Sequence, residues 1–360
     1  MRYITYSSTM KQTKDAIQFF FIGMFFLLFL TVSCARPATE PVSHSELLLG
    51  TICRLTIYDN PSQTAFDQAF ETIAHIEQLM SAHLNDSEIA LINAKAGIES
   101  VPVSSQTFFV IKTALEAATV SSGAFDPTIG PLVAAWGIGS DNPRKPSQEE
   151  INRLLPLEGY QKVSLDEKTQ SVFLQEQGMM LDLGGIAKGY AADEVAKVLR
   201  ANGVEKAIIN LGGNVLVIGS RLDNTPWRIG IQNPEAERGG YIGIVDLIDK
   251  TLVTSGPYER FFVFEDEMYH HIIDTKNGYP VKNGLSSVSI ITTKSIEADA
   301  LSTAVYSLGL EKGMALIESL EGVEAVFVDS QKQIYLSEGL KKGRVSFTLS
   351  DTAFTIASTL

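Results

Sequence analysis

The stretch Leu181–Asp193, LDLGGIAKGYAAD, decides the local fold and carries the first indication of the chemistry. The sequence predicts a strand that ends at Asp182, a tight turn at Gly184-Gly185, and then a helix that carries Lys188 in its first turn. Glycines at such a junction let backbone amides approach a ligand, and a helix N-terminus attracts anions. Lys188 could therefore contact a phosphate. The alternative is an ordinary strand-to-helix turn with Lys188 in solvent.

Three further blocks rich in glycine and polar residues surround this stretch, and ordinary loops do not have this composition. They are Ser122–Gly139 (SGAFDPTIGPLVAAWGIG), Asn210–Asn214 (NLGGN) and Val253–Ala304, which contains TSG, HIID, GYP and ADALSTA.

The pattern of apolar residues outside these blocks predicts a mixture of helices and strands without regular βαβ alternation, which is an α+β fold. The predicted helices are Ala65–Met80, Thr107–Ser121, a helix from Gly185 to Ala201, Glu297–Leu308 and Gly313–Leu320. The predicted strands include Thr51–Tyr58, a hairpin at 162–174, Lys206–Asn210, Val215–Ile218, Trp227–Ile231, Tyr241–Asp246, Met268–Asp274, Val288–Thr292, Val323–Asp329 and Gln333–Leu336.

Composition excludes several classes of protein. The 360 residues contain 29 Lys and Arg against 42 Asp and Glu, a formal net charge of −13. A nucleic-acid binder needs a basic face, so this balance argues against one. Two cysteines cannot build a disulfide scaffold or a cysteine-rich zinc site. The sequence also lacks G-x-S-x-G, H-E-x-x-H and Walker A motifs.

The N-terminus has the pattern of an export signal. Lys11 and Lys14 precede an apolar run of 14 residues, Phe19–Val32, which is too short to span a bilayer but typical of a signal-peptide core. Ser33-Cys34-Ala35 then resembles a bacterial lipobox, so we expect lipidation at Cys34; an ordinary signal peptide is the alternative. We predict a signal peptide at 1–33, a lipidated N-terminus and linker at 34–45, a catalytic domain at 46–340 and a C-terminal tail at 341–360.

Asp299 and Thr303 are four residues apart on a predicted helix, so their oxygens share one face. A carboxylate, a hydroxyl and a nearby backbone carbonyl form a set of oxygens that suits Mg²⁺, and Mg²⁺ also bridges phosphate oxygens. The alternative is local: Asp299 would interact with the helix dipole, and Thr303 would bond back into its own helix.

Two adjacent histidines end the predicted strand Met268–Asp274. Strand alternation puts His271 and Ile273 on one face and His270 on the other, so we expect one histidine at a site and the other in solvent. Histidine is the natural base near neutral pH, although a lone histidine is more often structural.

The blocks AFDPTIGPLVAAWGIG, LDLGGIAKGYAAD, NLGGN, TSG, HIID with GYP, and ADALSTA together resemble the ApbE family of flavin transferases. The resemblance covers roughly 49–329. It implies a two-lobed domain with the flavin site between the lobes. It also implies that FAD is cleaved with Mg²⁺ and that FMN passes to a threonine hydroxyl of an acceptor protein while AMP leaves. Family acceptors are typically subunits of membrane redox complexes and carry a D-G-x-T-G-A-T-like motif, which this chain lacks.

The resemblance assigns roles to residues that match the family motifs. Those implied to bind FAD are Leu49 (where the family usually has Met), His83 (where it often has Tyr, beside the adenosine), Ala124, Phe125, Asp126, Asp182, Lys188 and, through its backbone, Ile273. Those implied to bind the metal are the carbonyl of Gly185 and the side chains of Asp299 and Thr303. His271 matches the histidine that activates the accepting hydroxyl.

Two other functions stay open from the sequence. One is an FAD pyrophosphatase that gives FMN and AMP with water as the nucleophile. The other is a lipid-anchored FAD-binding protein without catalysis. In each case we expect an exported protein that is anchored by lipid to a bacterial membrane and faces the periplasm.

Overall fold

A sheet of nine strands runs through the described part of the chain, and helices and three smaller sheets accompany it. The computed structural model describes residues 40–236 and 239–358. The described strands are β1 (Val42–Leu48), β2 (Thr51–Ile57), β3 (Val101–Pro102), β4 (Val163–Asp166), β5 (Ser171–Leu174), β6 (Ala207–Leu211), β7 (Asn214–Ile218), β8 (Trp227–Gln232), β9 (Tyr241–Leu247), β10 (Thr251–Ser255), β11 (Phe261–Phe264), β12 (Glu267–His270), β13 (Leu285–Thr292), β14 (Glu324–Asp329), β15 (Gln333–Leu336), β16 (Phe347–Leu349) and β17 (Thr355–Ile356).

The helices lie between groups of these strands. They are α1 (Gln63–Met80), α2 (Glu88–Ala94), α3 (Ser105–Val120), α4 (Gly130–Trp136), α5 (Gln148–Leu154), α6 (Ala187–Ala201), α7 (Ser295–Leu308), α8 (Leu310–Glu318) and α9 (Glu338–Lys341), with 3₁₀ turns at Leu155–Leu157 and Tyr160–Lys162.

The large sheet has the order β1-β2-β6-β7-β10-β13-β14-β15-β17. Its strands pair antiparallel except for β15 and β17, which are parallel. Smaller sheets have the orders β16-β9-β8, β3-β5-β4 and β11-β12. The mixed α+β prediction is confirmed, whereas the division into two lobes stays a prediction.

Alternating residues along the strands bury both faces of the large sheet, as the period of two requires. In β14, Ala325 and Phe327 join a core with α7 and α8. Val326 and Val328, from the same strand, face the opposite way and pack with β8 and β9. The sheet is therefore covered by helices on one face and by the sheet β16-β9-β8 on the other.

Helices α6 and α7 approach each other closely near their N-termini. A Cβ at Gly189 would overlap the carbonyl oxygen of Ser295 and would lie 2.7 Å from the Cα of Ile296. The Asp193 carboxylate accepts hydrogen bonds from the backbone amides of Ser295 and Ile296, both at 2.9 Å. These amides are among the first of a helix, which lack partners inside it, so Asp193 caps α7 from α6.

Most long elements lie where the sequence predicts them, and four predictions need correction. The strand predicted to end at Asp182 is absent, because in that segment only Met180 pairs, in an isolated bridge to Ile129. The strand predicted over 268–274 ends at His270. The predicted linker 34–45 overlaps β1, which pairs with β2 from Val42 onward. The predicted tail 341–360 packs on the domain, because β16 pairs with β9, β17 pairs with β15, and Phe354 is buried.

The predicted signal peptide and Cys34 lie outside the described residues. Within the described residues, no helix is long and apolar enough to cross a membrane.

The carboxyl group of Glu158 is buried between the two 3₁₀ turns without a hydrogen-bond partner for either oxygen. Burial, together with the smaller effect of the nearby carboxylates of Asp126 and Asp274, raises the pKa of Glu158 to about 9. Glu158 is therefore neutral at pH 7, because a charged carboxylate would lose its hydration there and face two like charges.

The close contact between the helices predicts that Gly189→Ala destabilises the fold by about 1–3 kcal/mol or more, because the added methyl group forces α6 and α7 apart. Urea unfolding measures the change. Lys197→Ala, an exposed position on the same helix, is the control and should stay within about 0.5 kcal/mol of the parent protein. Equal stability of the two variants would contradict this packing.

Replacing Glu158 should stabilise the protein at alkaline pH. The unfolded chain ionises Glu158 above its ordinary pKa of 4.5, whereas the folded chain keeps the proton up to about pH 9, so rising pH favours unfolding. We expect Glu158→Gln to gain about 1–3 kcal/mol at pH 8, less than the full pKa difference because the side chain is partly exposed. No gain is expected at pH 4. Glu149→Gln, on an exposed face, should show no such trend in urea unfolding.

Candidate active site

The turn before α6 presents its backbone to the surface. The Asp182 carboxylate accepts a hydrogen bond from the amide of Gly184 at 2.7 Å, which fixes the turn. Gly184 is exposed and Gly185 is half-buried. Lys188 reaches back from the first turn of the helix, and its Nζ donates to the carbonyl of Gly184 at 2.8 Å. The ammonium group is thus held beside the glycine pair.

Asp299 comes to this turn from α7. Its side chain is 4% exposed, and its Oδ2 accepts a hydrogen bond from the amide of Gly189 at 2.9 Å. Its Oδ1 lies 3.6 Å from the Nζ of Lys188. The carboxylate therefore satisfies one of the free amides at the start of α6 and lies close to the lysine charge.

Thr303 and Phe125 complete the surroundings of Gly185. A Cβ at Gly185 would lie 3.1 Å from Cε2 of Phe125 and 3.5 Å from Oγ1 of Thr303. Thr303 is one turn after Asp299 on α7, so its hydroxyl and that carboxylate lie on the same face of the helix. The structure thus brings Gly185 and Lys188 together with Asp299 and Thr303, a second pair more than a hundred residues later in the sequence.

The chemistry of these donors fits a magnesium ion. Asp299 supplies a carboxylate, Thr303 a hydroxyl and Gly185 a carbonyl, all hard oxygen donors. Among the described residues, Asp299 Oδ1 has only the 3.6 Å contact with Lys188, which is longer than a hydrogen bond and leaves its lone pairs available. The described residues contain no group of three or more His, Cys, Asp or Glu that could hold a metal ion, so a metal here would also need water or phosphate oxygens.

His271 follows the hairpin β11–β12 and is partly exposed. Its Nδ1 lies 3.2 Å from the carbonyl oxygen of Arg260, and its amide donates to the same oxygen at 3.1 Å. A carbonyl only accepts, so Nδ1 carries the proton and Nε2 keeps its lone pair. Burial lowers the pKa of His271 to about 4, with smaller contributions that include the charges of Arg260 and Lys188. The imidazole is neutral at pH 7, as a general base must be.

The companion histidine has a structural role. His270 is buried, its Nε2 lies 2.8 Å from the carbonyl oxygen of Val281, and its ring meets that of Tyr306 edge to face. The expectation that one of the two histidines faces solvent is therefore wrong for His270. Strand alternation failed here because the strand ends at this residue.

Asp126 holds its own loop together. Its Oδ1 accepts from the amide and the hydroxyl of Thr128 at 2.8 and 2.7 Å, and its Oδ2 accepts from the amide of Tyr160 at 2.9 Å. Burial raises the pKa of Asp126, and these hydrogen bonds oppose that effect. Both carboxylate oxygens are occupied by the protein, so Asp126 shapes the segment that carries Phe125.

The other predicted flavin residues lie at separate points. Leu49 occupies a left-handed position in the two-residue turn between β1 and β2. Ala124 lines a cleft of about 410 Å³ together with Lys276. Ile273 is buried and bridges to Pro280, whereas His83 is exposed after α1. No contact in the described structure links His83 to the Lys188–Asp299 pair.

Sequence reasoning missed two residues that arrange the site. The carbonyl oxygen of Arg260 accepts from both the backbone amide and Nδ1 of His271, and the guanidinium of Arg260 lies 3.3 Å from the carbonyl oxygen of Gly50, next to Leu49. Asp193 caps α7, as described above. Asp193 lies within the quoted stretch Leu181–Asp193, but its partners are a hundred residues away. Nothing in the local sequence indicates either contact.

Comparison with known proteins identifies the family of the chain. A profile of the ApbE family matches residues 49–327. The FAD:protein FMN transferase of Klebsiella pneumoniae (strain 342) is 40% identical over 314 residues, which cover 87% of this chain and 96% of the relative. That of Treponema pallidum (strain Nichols) is 34% identical and covers 91% and 96%.

Solved structures show the same fold. The ApbE protein from Thermotoga maritima superposes with a TM-score of 0.78 at 33% identity, over 84% of this chain and 99% of that one. The flavin transferase ApbE from Vibrio cholerae gives 0.76 at 29% identity, over 84% and 99%. With its fold, its motifs and its matched length in agreement, this chain belongs to the ApbE family.

Proposed function

We propose that this protein transfers FMN from FAD to a threonine hydroxyl of an acceptor protein and releases AMP, with Mg²⁺ as its cofactor. The observation that carries the proposal is the meeting of Lys188, Asp299 and Thr303 at the glycine turn. This arrangement offers a cation and a set of oxygen donors at a helix N-terminus, where a pyrophosphate binds well.

The chain's own residues account for binding of the pyrophosphate. The Nζ of Lys188 is held by the carbonyl of Gly184, so its charge is oriented before the substrate arrives. The exposed glycine backbone lets the phosphates come close. The half-buried position of Lys188 strengthens its attraction for phosphate, because less water screens it than at the surface.

His271 accounts for activation of the threonine. Its Nε2 accepts the hydroxyl proton as the threonine oxygen forms a bond to the FMN phosphorus. The bond between that phosphorus and the bridging oxygen breaks, and AMP leaves with the bridging oxygen. The neutral state of the ring and the hydrogen bond from Nδ1 to Arg260 set His271 up for this step.

When bound, Mg²⁺ would neutralise charge on the pyrophosphate oxygens. Asp299, Thr303 and the carbonyl of Gly185 are the residues that would hold it.

We also propose that the protein is exported, lipidated at Cys34 and anchored to a bacterial membrane facing the periplasm. The charge and length of the leader and the sequence Ser33-Cys34-Ala35 support this. A subunit of a membrane redox complex is the acceptor that we expect, since an anchored enzyme would meet it at the same surface.

The direct test uses the domain from Ala35 to Leu360 with FAD and Mg²⁺, with and without a threonine acceptor domain. AMP together with an acceptor whose mass has increased by FMN supports transfer. AMP and free FMN regardless of acceptor would make the protein a pyrophosphatase, and FAD that stays intact would make it a binding protein.

Removing the charge of Asp299 should abolish metal-dependent turnover. Asp299→Asn keeps an oxygen for the amide of Gly189 but weakens the metal site, so we expect AMP release to fall roughly 100-fold or more. Glu297→Gln on the same helix is the control and should keep the parent rate. AMP release is measured over a Mg²⁺ titration. An unchanged rate and Mg²⁺ dependence in Asp299→Asn would refute the metal assignment.

His271→Ala should slow transfer roughly 100-fold or more while FAD affinity stays close to that of the parent protein. In the parent protein, transfer should stay constant from pH 8 to about 5 and then fall with a midpoint near the pKa of about 4, because protonation removes the lone pair of Nε2. Acceptor labelling is measured where the circular dichroism spectrum is unchanged, with His75→Ala as the control. A midpoint near the ordinary value of 6.5 would contradict the buried, neutral base.

A further inference from the structure

The hairpin β11–β12 carries apolar side chains on its surface. Phe261, Val263 and Met268 are 48%, 62% and 41% exposed. In the register of the hairpin, Phe261 pairs with His270 and Val263 pairs with Met268. Alternate residues of a strand share a face, and so do paired residues of a hairpin, so these three side chains lie on the same face as the buried His270. We call the three exposed side chains the apolar ridge.

The opposite face of the hairpin is fixed to the domain. The rings of Phe262 and Tyr269 stack at 5.5 Å, and both lie against Trp136, at 6.4 and 5.2 Å between ring centroids. Trp136 is itself completely buried. The base of the hairpin is therefore fixed to the domain on both faces, by Phe262 and Tyr269 on one and by His270 on the other, and the apolar ridge stays exposed beyond it.

The hairpin is directly adjacent to His271, the histidine proposed to activate the threonine. Its base is closed by His271, whose amide and Nδ1 both contact the carbonyl oxygen of Arg260. Val263 lies three residues from Arg260, which is about 10 Å along a strand. A peptide segment whose threonine reaches His271 has neighbouring residues within reach of the apolar ridge.

The hairpin also has free backbone edges. Its sheet contains only β11 and β12 among the described strands, so neither strand is paired on its outer side. Such an edge can take up an extended peptide through backbone hydrogen bonds, while side-chain contacts give specificity.

Charge favours a protein over a membrane as the occupant. The turn of the hairpin is formed by Glu265 and Asp266, and the whole chain has a formal net charge of −13. An anionic lipid surface would repel this turn.

We propose that the apolar ridge docks the acceptor protein, and that it binds the extended segment which carries the target threonine through apolar residues close to that threonine. This rests on the proposed transfer function. The ridge would set the affinity for the acceptor without contributing to FAD binding or to cleavage of the pyrophosphate.

The test compares Val263→Ser/Met268→Ser with the parent protein and with the control Ile98→Ser/Leu222→Ser, whose residues are 63% and 47% exposed on other parts of the surface. The probe is an acceptor domain with a D-G-x-T-G-A-T-like motif. We expect the KM for this domain to rise about tenfold or more in the ridge variant alone. FAD affinity and the slow release of AMP to water should stay within about twofold of the parent values.

Three results separate the alternatives. An unchanged KM in the ridge variant, with normal labelling by the parent protein, overturns the docking proposal and leaves the transfer function intact. No labelling by the parent protein refutes the transfer function itself. Loss of binding to phosphatidylglycerol vesicles in the ridge variant, with an unchanged KM, would assign the ridge to the membrane and also overturn the docking proposal.

Discussion

The contact between α6 and α7 is the constraint on which the site depends. Because Gly189 has no side chain, the two helices come close enough for its backbone amide to donate to the carboxylate of Asp299 at 2.9 Å. A side chain at that position would separate the helices, and Asp299 and Thr303 would then move away from Gly185. The same contact lets Asp193 cap α7, so one tight crossing positions a helix end, a carboxylate and a hydroxyl.

Hydroxyl groups hold α7 against the sheet and support that crossing. Ser295 contacts Thr251 at 3.0 Å and donates to Asn214 at 2.7 Å, and Ser302 contacts Ser255 at 2.8 Å. These side chains are buried or nearly so, where unpaired hydroxyls would be costly. The register of α7 on β10 is therefore specified by polar contacts, which are more directional than the apolar packing around them.

Electrostatics divides the site into two parts with different tasks. Lys188 and the helix N-terminus place positive charge beside the glycine turn, whereas the imidazole of His271 is kept neutral by burial and by nearby positive charges. A protonated imidazole could not accept the proton of a threonine. A buried carboxyl group at Glu158 shows the converse effect in the neighbouring loop, where burial keeps an acid protonated.

Local sequence predicts what local forces determine. The helices α1, α3, α6 and α7 and most strands of the large sheet follow from the apolar period, and the grouping of Lys188 with Asp299 was expected only from the family resemblance. What the sequence could not show depends on distant contacts. The strand expected before Gly184 is absent because only Met180 finds a partner there, and the start of β1 looks like a linker because residues 36–45 are polar and include two prolines. Arg260 and Asp193 act through partners that no spacing indicates.

We propose that the α6–α7 junction binds the pyrophosphate of FAD beside a metal ion and within reach of His271. A crystal structure with FAD and Mn²⁺, with the ion located by anomalous scattering, would show this. We expect an anomalous peak bounded by Asp299 and Thr303, with the pyrophosphate against Lys188. A peak elsewhere, or a pyrophosphate away from the glycine turn, would contradict it.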